Sequence, residues 1–184
     1  MGEMTTDDAT VWTYSAQYGA VGKKQGGATG WLLTPANNLS GMESVSLTFS
    51  HAHRYATNFA DEMTLWVTPD YKGSVAASQW EQLTISPYAA NTNWNFVDVT
   101  VNVPTSAVGD NTVFGFKYMS TTSGYATWEI KDVILNAQCN NTPTDIQNVS
   151  DSANNIARKV LINGQLFILR DDGTIFDARG VRVK

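Results

Sequence analysis

The residues with the most chemical potential lie together in one short segment, HAHRYATNFADE, residues 51–62. This segment contains both histidines of the chain, His51 and His53, together with an arginine, two aromatic residues and the carboxylate pair Asp61 and Glu62. Two histidines at positions i and i+2 are able to chelate a transition metal, and paired carboxylates are able to act as a general acid and base. The alternative for the histidines is a packed, hydrogen-bonded role in the core.

No motif of a nucleophilic enzyme accompanies this segment. The G-x-S-x-G elbow is absent, and no pattern places a second acid opposite Asp61 or Glu62. Cys139 is the only cysteine, so it forms no internal disulfide and no thiolate zinc cluster, and it lies in a polar run without a nearby histidine. We therefore expect a protein that is not an enzyme.

Four aromatic residues fall in predicted loops or beside predicted turns: Tyr55, Tyr88, Trp94 and Tyr125. Flat rings of this kind stack on the apolar faces of sugars, while neighbouring polar side chains bond the sugar hydroxyls. We therefore predict that these residues bind a glycan. The alternative is that the same rings fold inward as a lid over one end of the domain.

Short strands with one buried face must position these residues. Apolar and polar residues alternate in several runs, most clearly in residues 97–103. Period two with β-branched and aromatic side chains predicts strands. The predicted strands span residues 11–14, 31–33, 45–50, 63–68, 80–85, 97–103, 113–119 and 128–135. Eight such strands with turn-rich connections, and no amphipathic helical pattern, indicate an all-β, two-sheet jelly-roll sandwich.

The last of these strands changes its buried face part of the way along. Trp128 and Ile130 share one face, whereas Val133 and Leu135 share the other. A β-bulge at Asp132 accounts for the change and redirects that carboxylate. The alternative to a functional role is a carboxylate that caps loop amides or faces water.

Composition divides the chain into three parts. Residues 1–136 carry the predicted sandwich, and residues 137–156, rich in Asn, Thr, Asp and Ser, are typical of a linker. Residues 157–184 contain Asn163 and Gly164 between two apolar runs, which predicts a small β-hairpin or meander. So small a sheet buries too little apolar area to fold alone, so we expect it to dock on the sandwich or on another molecule.

Charge and hydropathy exclude several classes of partner. The net charge is −5, and residues 1–156 hold six Lys and Arg against fourteen Asp and Glu. This is no basic field for a phosphate backbone, so we expect no nucleic acid. No apolar run approaches the roughly 20 residues that span a bilayer. Few charged residues and many aromatic ones suit an extracellular β protein, and we expect that an export signal is absent from this sequence.

Six segments follow one another along residues 12–135: WTYSAQYGAVGKK, GWLLTPANNLSGMESVSLTFSHAHRY, DEMTLWVTPDY, WEQLTI, NWNFVDVTV and FGFKYMSTTSGYATWEIKDVIL. Their order and spacing resemble those of the choice-of-anchor J domains and the related cleaved-adhesin domains of Bacteroidetes surface proteins. The tail ARKVLINGQLFILRDDGTIFDARGVRVK resembles the short C-terminal segment of exported proteins of the same bacteria. In longer relatives that segment is an export and sorting signal.

The resemblance implies a galactose-binding-like jelly roll in an exported, adhesin-like module that binds a glycan or a cell-surface partner. It also offers a use for the predicted bulge, namely a structural calcium ion near the rim with Asp132, Asp61 and Glu62 as oxygen ligands. The rival function is a structural domain of a surface assembly, whose C-terminal tail pairs with a neighbouring chain by strand addition. Ligand binding predicts exposed aromatic rings at one end of the sandwich, whereas the structural role predicts inward rings and an exposed tail edge.

Overall fold

The computed structural model describes residues 4–139, 157–162, 165–170 and 172–183. They belong to two compact units, Met1–Asn140 and Asn141–Lys184. The turn predicted at Asn163-Gly164 and residues 140–156 of the predicted linker lie outside the described residues.

The described residues form thirteen strands and one short α-helix. The helix is α1 (Phe59–Glu62). The strands are β1 (Thr5–Thr6), β2 (Trp12–Ser15), β3 (Gly19–Gly22), β4 (Thr29–Leu33), β5 (Met42–Arg54), β6 (Met63–Thr68), β7 (Glu81–Leu83), β8 (Val97–Val103), β9 (Val113–Met119), β10 (Thr127–Cys139), β11 (Ala157–Ile162), β12 (Gln165–Arg170) and β13 (Ile175–Asp177).

Two five-stranded antiparallel sheets make up the first unit. Their strand orders are β1-β4-β9-β6-β7 in sheet 1 and β2-β3-β10-β5-β8 in sheet 2. The chain passes repeatedly from one sheet to the other, as where β5 of sheet 2 is followed through α1 by β6 of sheet 1. The predicted fold class, an all-β, two-sheet jelly-roll sandwich, is therefore confirmed.

Alternate residues of the strands fill the space between the sheets. Leu47 and Phe49 of β5 pair with Val101 and Val99 of β8, and all four side chains are buried. The ring of Phe49 meets Phe116 of sheet 1 edge to face, with centroids 5.1 Å apart. This interdigitation of inward-facing residues is how two sheets exclude water from a common core.

Several strands extend beyond or between the predicted ones. The predicted strand 45–50 is part of the longer β5, which carries His51 and His53 into the core. β3 lies in a glycine-rich stretch between two predicted strands, where no strand was predicted. Its Gly22 packs directly against the ring of Trp12, where an added Cβ would come within 2.9 Å. Small residues that permit close approach lack the bulky alternation by which strands are recognised.

The bulge predicted in β10 is present. The pairing of β10 with β5 shifts between Lys131 and Ile134, and Asp132 has a left-handed φ of 54°. Beyond the bulge Leu135 pairs with Leu47 on the core side. β10 continues to Cys139, so the sandwich strand runs past the predicted boundary at residue 136.

The second unit contains a small antiparallel meander in the order β11-β12-β13. Lys159 pairs with Ile168, which in turn pairs with Phe176. The predicted C-terminal meander is confirmed. Across the described residues, no helix has both the length and the apolar character that crossing a membrane requires.

Candidate ligand-binding site

The end of β5 lies at one rim of the sandwich, together with the side chains of Arg54 and the next residue, Tyr55. Arg54 is the last residue of β5, and Tyr55 follows with a left-handed φ of 67°. Few side chains adopt this backbone conformation without a compensating constraint, and such positions cluster at functional sites. The Tyr55 ring is 60% exposed.

Hydrogen bonds tie a second loop, residues 86–95, to this rim. The side-chain amide of Asn91 donates to the carbonyl oxygen of Ala56 over 2.9 Å, and its oxygen accepts from the Ala56 N–H over 3.1 Å. On the core side, His51 Nε2 lies 3.3 Å from the carbonyl oxygen of Pro87. These contacts hold Trp94, which belongs to the same loop, beside the end of β5.

Arg54, Tyr55 and Trp94 form a cluster of two rings and one guanidinium group. The Arg54 Cζ lies 5.0 Å from the Tyr55 ring centroid and 5.7 Å from that of Trp94. The two rings meet edge to face with centroids 6.2 Å apart. Cation–π contacts of this length fix the rings while leaving parts of them open to solvent, and Trp94 is 38% exposed.

Tyr55 also lines a pocket of about 310 Å³ together with Lys23, Ser123, Gly124 and Tyr125. The volume lies at the lower end of the range typical of small-ligand sites. Lys23 is held there by its own N–H, which donates to Val11 O, and by the next residue, whose N–H donates to the hydroxyl of Tyr118. The rim thus combines two tyrosine rings, one ammonium group and a small polar loop.

Tyr88, the fourth aromatic residue predicted to bind ligand, turns inward instead. Its hydroxyl donates to Met63 O over 2.9 Å, and its ring packs against Phe59 with centroids 4.6 Å apart. Burial, with a smaller effect of Asp61, raises the pKa of Tyr88 to about 12. The structure therefore brings together Tyr55, Trp94 and Tyr125, whereas Tyr88 acts as the inward lid.

The two histidines lie in the core beneath this lid. His51 Nδ1 accepts from the indole N–H of Trp128 over 3.2 Å, so Nε2 carries the proton that is directed at Pro87 O. His53 is fully buried, and within the part of the chain that the structure describes neither of its ring nitrogens has a hydrogen-bond partner. Burial, reinforced by His51, lowers the pKa of His53 to about 4. The geometry therefore favours the role of packed core residues for both His51 and His53.

The three predicted calcium ligands do not converge. Asp61 is exposed and accepts from the side-chain amide of Asn58, whereas Glu62 is buried. β5 ends at Arg54, opposite Thr127, and Asp132 lies five residues further along β10, about 15 Å away at strand spacing. Among the described residues, no three His, Cys, Asp or Glu side chains are grouped so that they could hold a metal ion.

Asp132 instead lies beside a second, larger cavity of about 680 Å³ that extends between the two sheets. Tyr14 of the edge strand β2 also lines this cavity and is 82% exposed. The sequence analysis did not single out Tyr14, Lys23 or Arg54. Two sequence features could have indicated Lys23 and Arg54. Lys23 is one of two consecutive lysines before a glycine-rich turn, and Arg54 directly precedes Tyr55.

Comparison with known proteins gives the following similarities. No family model and no curated protein matches the chain. Among solved structures, the chain is similar to the K3 cleaved adhesin domain of Lys-gingipain from Porphyromonas gingivalis, with 18% identity and a TM-score of 0.44 over 72% of this chain and 90% of that one. The chain is similar also to the K1 cleaved adhesin domain of the same protein, with 17% identity and a TM-score of 0.40 over 74% of this chain and 90% of that one.

The chain is also similar to the CBM22-1 xylan-binding domain of Paenibacillus barcinonensis Xyn10C, with 9% identity and a TM-score of 0.33 over 65% of this chain and 86% of that one. The fold assignment rests on the sheet order and register of the chain itself.

Proposed function

We propose that the sandwich is a non-catalytic carbohydrate-binding module of an exported, adhesin-like surface protein, and that it holds its ligand at the rim. The observation that carries this proposal is that two exposed aromatic side chains, Tyr55 and Trp94, and the half-buried Tyr125 lie together at one end of the sandwich. Sugars offer apolar C–H faces to such rings and hydroxyl groups to nearby polar atoms.

The polar atoms of these three rings are free to serve a ligand. Within the described residues, the Tyr55 and Tyr125 hydroxyls and the Trp94 indole N–H have no hydrogen-bond partner in the protein. Of the five other indole N–H groups, those of Trp12, Trp66, Trp80 and Trp128 donate to protein acceptors, and only that of Trp31 finds none among the described residues. The contrast supports a surface role for the rim rings, since buried indoles normally find such a partner.

The rim is also held in place before any ligand arrives. The Asn91 side chain joins the two loops through both of its polar atoms, and the Gly124 N–H and carbonyl oxygen both bond the Thr121 hydroxyl. A ligand that meets a pre-formed surface loses less free energy in ordering loops, which favours binding.

A glycan array followed by titration calorimetry tests the proposal. The purified protein should bind a limited set of glycans, and Tyr55→Ala, Trp94→Ala and Tyr125→Ala should each weaken the best of them roughly tenfold, or about 1.4 kcal/mol. Tyr88→Phe is the matched control. It removes a hydroxyl that bonds Met63 O rather than a ligand, so it should leave the affinity unchanged while lowering thermal stability slightly.

Two results would overturn the proposal. One is an array on which the folded protein binds no glycan. The other is a glycan whose affinity none of the three alanine variants changes, because binding would then occur elsewhere. The rival function, strand addition by the C-terminal tail, stays a prediction, and it requires that a peptide of residues 157–184 join the isolated sandwich or a second chain.

A further inference from the structure

We propose that the sugar held at this rim carries a carboxylate, as a uronic acid does, and that Lys23 recognises that group while Tyr55 and Tyr125 contact the ring. This inference rests on the proposed function and names its ligand class. It follows from three observations: the rim cations have no ion-pair partner among the described residues, none of the residues that line the pocket is acidic, and the pocket has the size of one sugar.

Lys23 differs from the other lysines of the sandwich because its ammonium group has no partner among the described residues. Its ammonium group lines the pocket and makes no hydrogen bond, ion pair or ring contact within the described residues. The remaining lysines of this unit are engaged: Lys24 donates to Thr10, Lys72 pairs with Asp70, Lys117 lies over Trp31 and Trp66, and Lys131 lies over Phe96. An unengaged cation beside two aromatic rings is a receptor for an anionic group.

Arg54 adds a second cation without an anion. Its guanidinium group contacts the rings of Tyr55 and Trp94 but forms no salt bridge in the described part of the chain, and its Nε is buried without a partner. A guanidinium donates several hydrogen bonds in a planar fork that matches a carboxylate. The ring contacts place this positive charge next to Tyr55, but Arg54 does not line the pocket, so it adds to the local positive potential and leaves direct recognition to Lys23.

The carboxylates on neighbouring elements form no ion pair with Lys23 or Arg54 in the described part of the chain, although one oxygen each of Glu62 and Glu129 is buried without a partner there. Asp61 accepts from Asn58, and Glu62 is buried with one oxygen bonded to backbone N–H groups. Burial raises the pKa of Glu129 on β10, and the cation that opposes this rise is Lys131 rather than Lys23. None of the residues that line the pocket is acidic. In a chain whose first 156 residues hold fourteen acids, a pocket lined by a lysine and by no acid is a local exception.

The volume of the pocket sets the size of the group that enters it. About 310 Å³ lies near the lower limit for small-ligand sites, which suits one sugar residue rather than several. Ser123 and the backbone of Gly124 form the remaining wall and supply hydroxyl and amide groups. The pocket therefore fits one terminal sugar with its carboxylate toward the lysine.

Calorimetric titration with three methyl glycosides tests this inference on the full chain. Methyl glucuronide, methyl glucoside and methyl glucuronamide share one ring and differ only in the group at C6. The glucuronide should bind at least tenfold more tightly than the other two. Raising NaCl from about 50 mM to about 500 mM should weaken the glucuronide alone, because salt screens an exposed ion pair.

Charge-removing variants identify the residues responsible. Lys23→Gln should abolish the preference for the glucuronide, and Arg54→Gln, which removes a charge outside the pocket, should only reduce it. Lys24→Gln should keep it, since Lys24 carries the same charge one residue away but donates to Thr10 outside the pocket. Circular dichroism establishes that each variant is folded, and Lys23→Gln alters only an exposed side chain.

The failure of this inference is distinct from the failure of the proposed function. If the rim binds neutral sugars equally well and the alanine variants weaken that binding, the proposed function stands and the carboxylate preference is wrong. The assignment is also wrong if the preference survives in Lys23→Gln, or if Lys24→Gln reduces it equally. If none of the three glycosides binds, the inference is overturned, and the glycan array alone decides the proposed function.

Discussion

The indole N–H of Trp128 donates a hydrogen bond to Nδ1 of His51 across 3.2 Å in the sandwich core. Because an indole only donates, Nδ1 accepts, and the proton on Nε2 is directed at Pro87 O, 3.3 Å away. One imidazole therefore links the central strands of sheet 2 to the loop that carries Trp94. The core of the sandwich and the proposed binding surface are connected by this residue.

The first prediction concerns that link. Trp128→Phe removes the donor and part of a fully buried ring, so it should lower the free energy of unfolding by about 2–4 kcal/mol and the melting temperature by roughly 5–15 °C. Trp94→Phe is the matched control, because its indole is exposed and has no partner in the described residues, and it should change stability by less than about 0.5 kcal/mol. Chemical denaturation measures both, and equal losses in the two variants would contradict the assignment.

The fold was largely predictable because its main signals are local. Alternating valines in residues 97–103 and the change of face around Asp132 each correspond to a feature of the structure, β8 and the bulge in β10. Strand β3 was missed because its glycines and alanine lack side chains that reveal a buried face. These residues form a strand because they pair with Trp128, Ile130 and the residues around them in β10. A partner so far away in the sequence leaves no local signal in β3 itself.

The candidate site was predictable only in part. The residue types singled out Tyr55, Trp94 and Tyr125, which do lie at one rim, and equally singled out Tyr88, which does not point outward. What separates Tyr88 from the others is a hydrogen bond to Met63 O and the packing of Phe59, both contacts between segments far apart in sequence. The direction of a loop side chain depends on such contacts, so residue type alone cannot supply it.

A second prediction concerns pH. The pKa of His53 is about 4 in the folded protein against 6.5 for an ordinary histidine, so the unfolded chain binds more protons between these two values. Stability should therefore be complete above about pH 6.5 and should fall as the pH drops toward 4, by on the order of 3 kcal/mol from this residue. His51, whose pKa is lowered mainly by burial, acts in the same direction.

His53→Phe isolates this contribution. Neither ring nitrogen of His53 has a hydrogen-bond partner among the described residues, so an apolar ring in its place loses no bond. We expect the stability of this variant to lie within about 1 kcal/mol of that of the native protein at pH 7. Urea unfolding at pH 7, 5.5 and 4.5 should show a smaller loss in the variant. The carboxylates contribute equally to both proteins, so identical losses would mean that His53 does not titrate as described.

A third prediction concerns the strained residue of the bulge. Asp132 has a φ of 54°, a region that Asn tolerates and that β-branched side chains avoid. Asp132→Asn should therefore be close to neutral, whereas Asp132→Val should lose about 1–2 kcal/mol of unfolding free energy. Equal stability of the two variants would contradict a left-handed backbone here.

The predicted calcium site is tested with the same proteins, since it requires a calcium-dependent rise in melting temperature that Asp132→Asn removes.

The last prediction concerns the loop that follows Tyr55. Glu62 Oε1 accepts from the backbone N–H of Thr57 over 2.9 Å and of Asn58 over 2.8 Å, and the residue is only 4% exposed. Glu62→Ala removes the acceptor of both amides, so their hydrogen exchange should accelerate at least tenfold, which corresponds to about 1.4 kcal/mol of local stability.

Asp61→Ala is the control for this loop. The carboxylate of Asp61 is exposed and, among the described residues, accepts only from the Asn58 side chain. Exchange at Thr57 and Asn58, measured by NMR, should be unchanged in that variant. Because Ala56 is bonded to Asn91, loosening the segment in Glu62→Ala should also weaken glycan binding without altering any ring that contacts the ligand. If Glu62→Ala accelerates exchange but leaves the affinity intact, the loop is stabilised by Glu62 yet does not position Tyr55, and the rim owes its geometry to the Arg54, Tyr55 and Trp94 cluster alone.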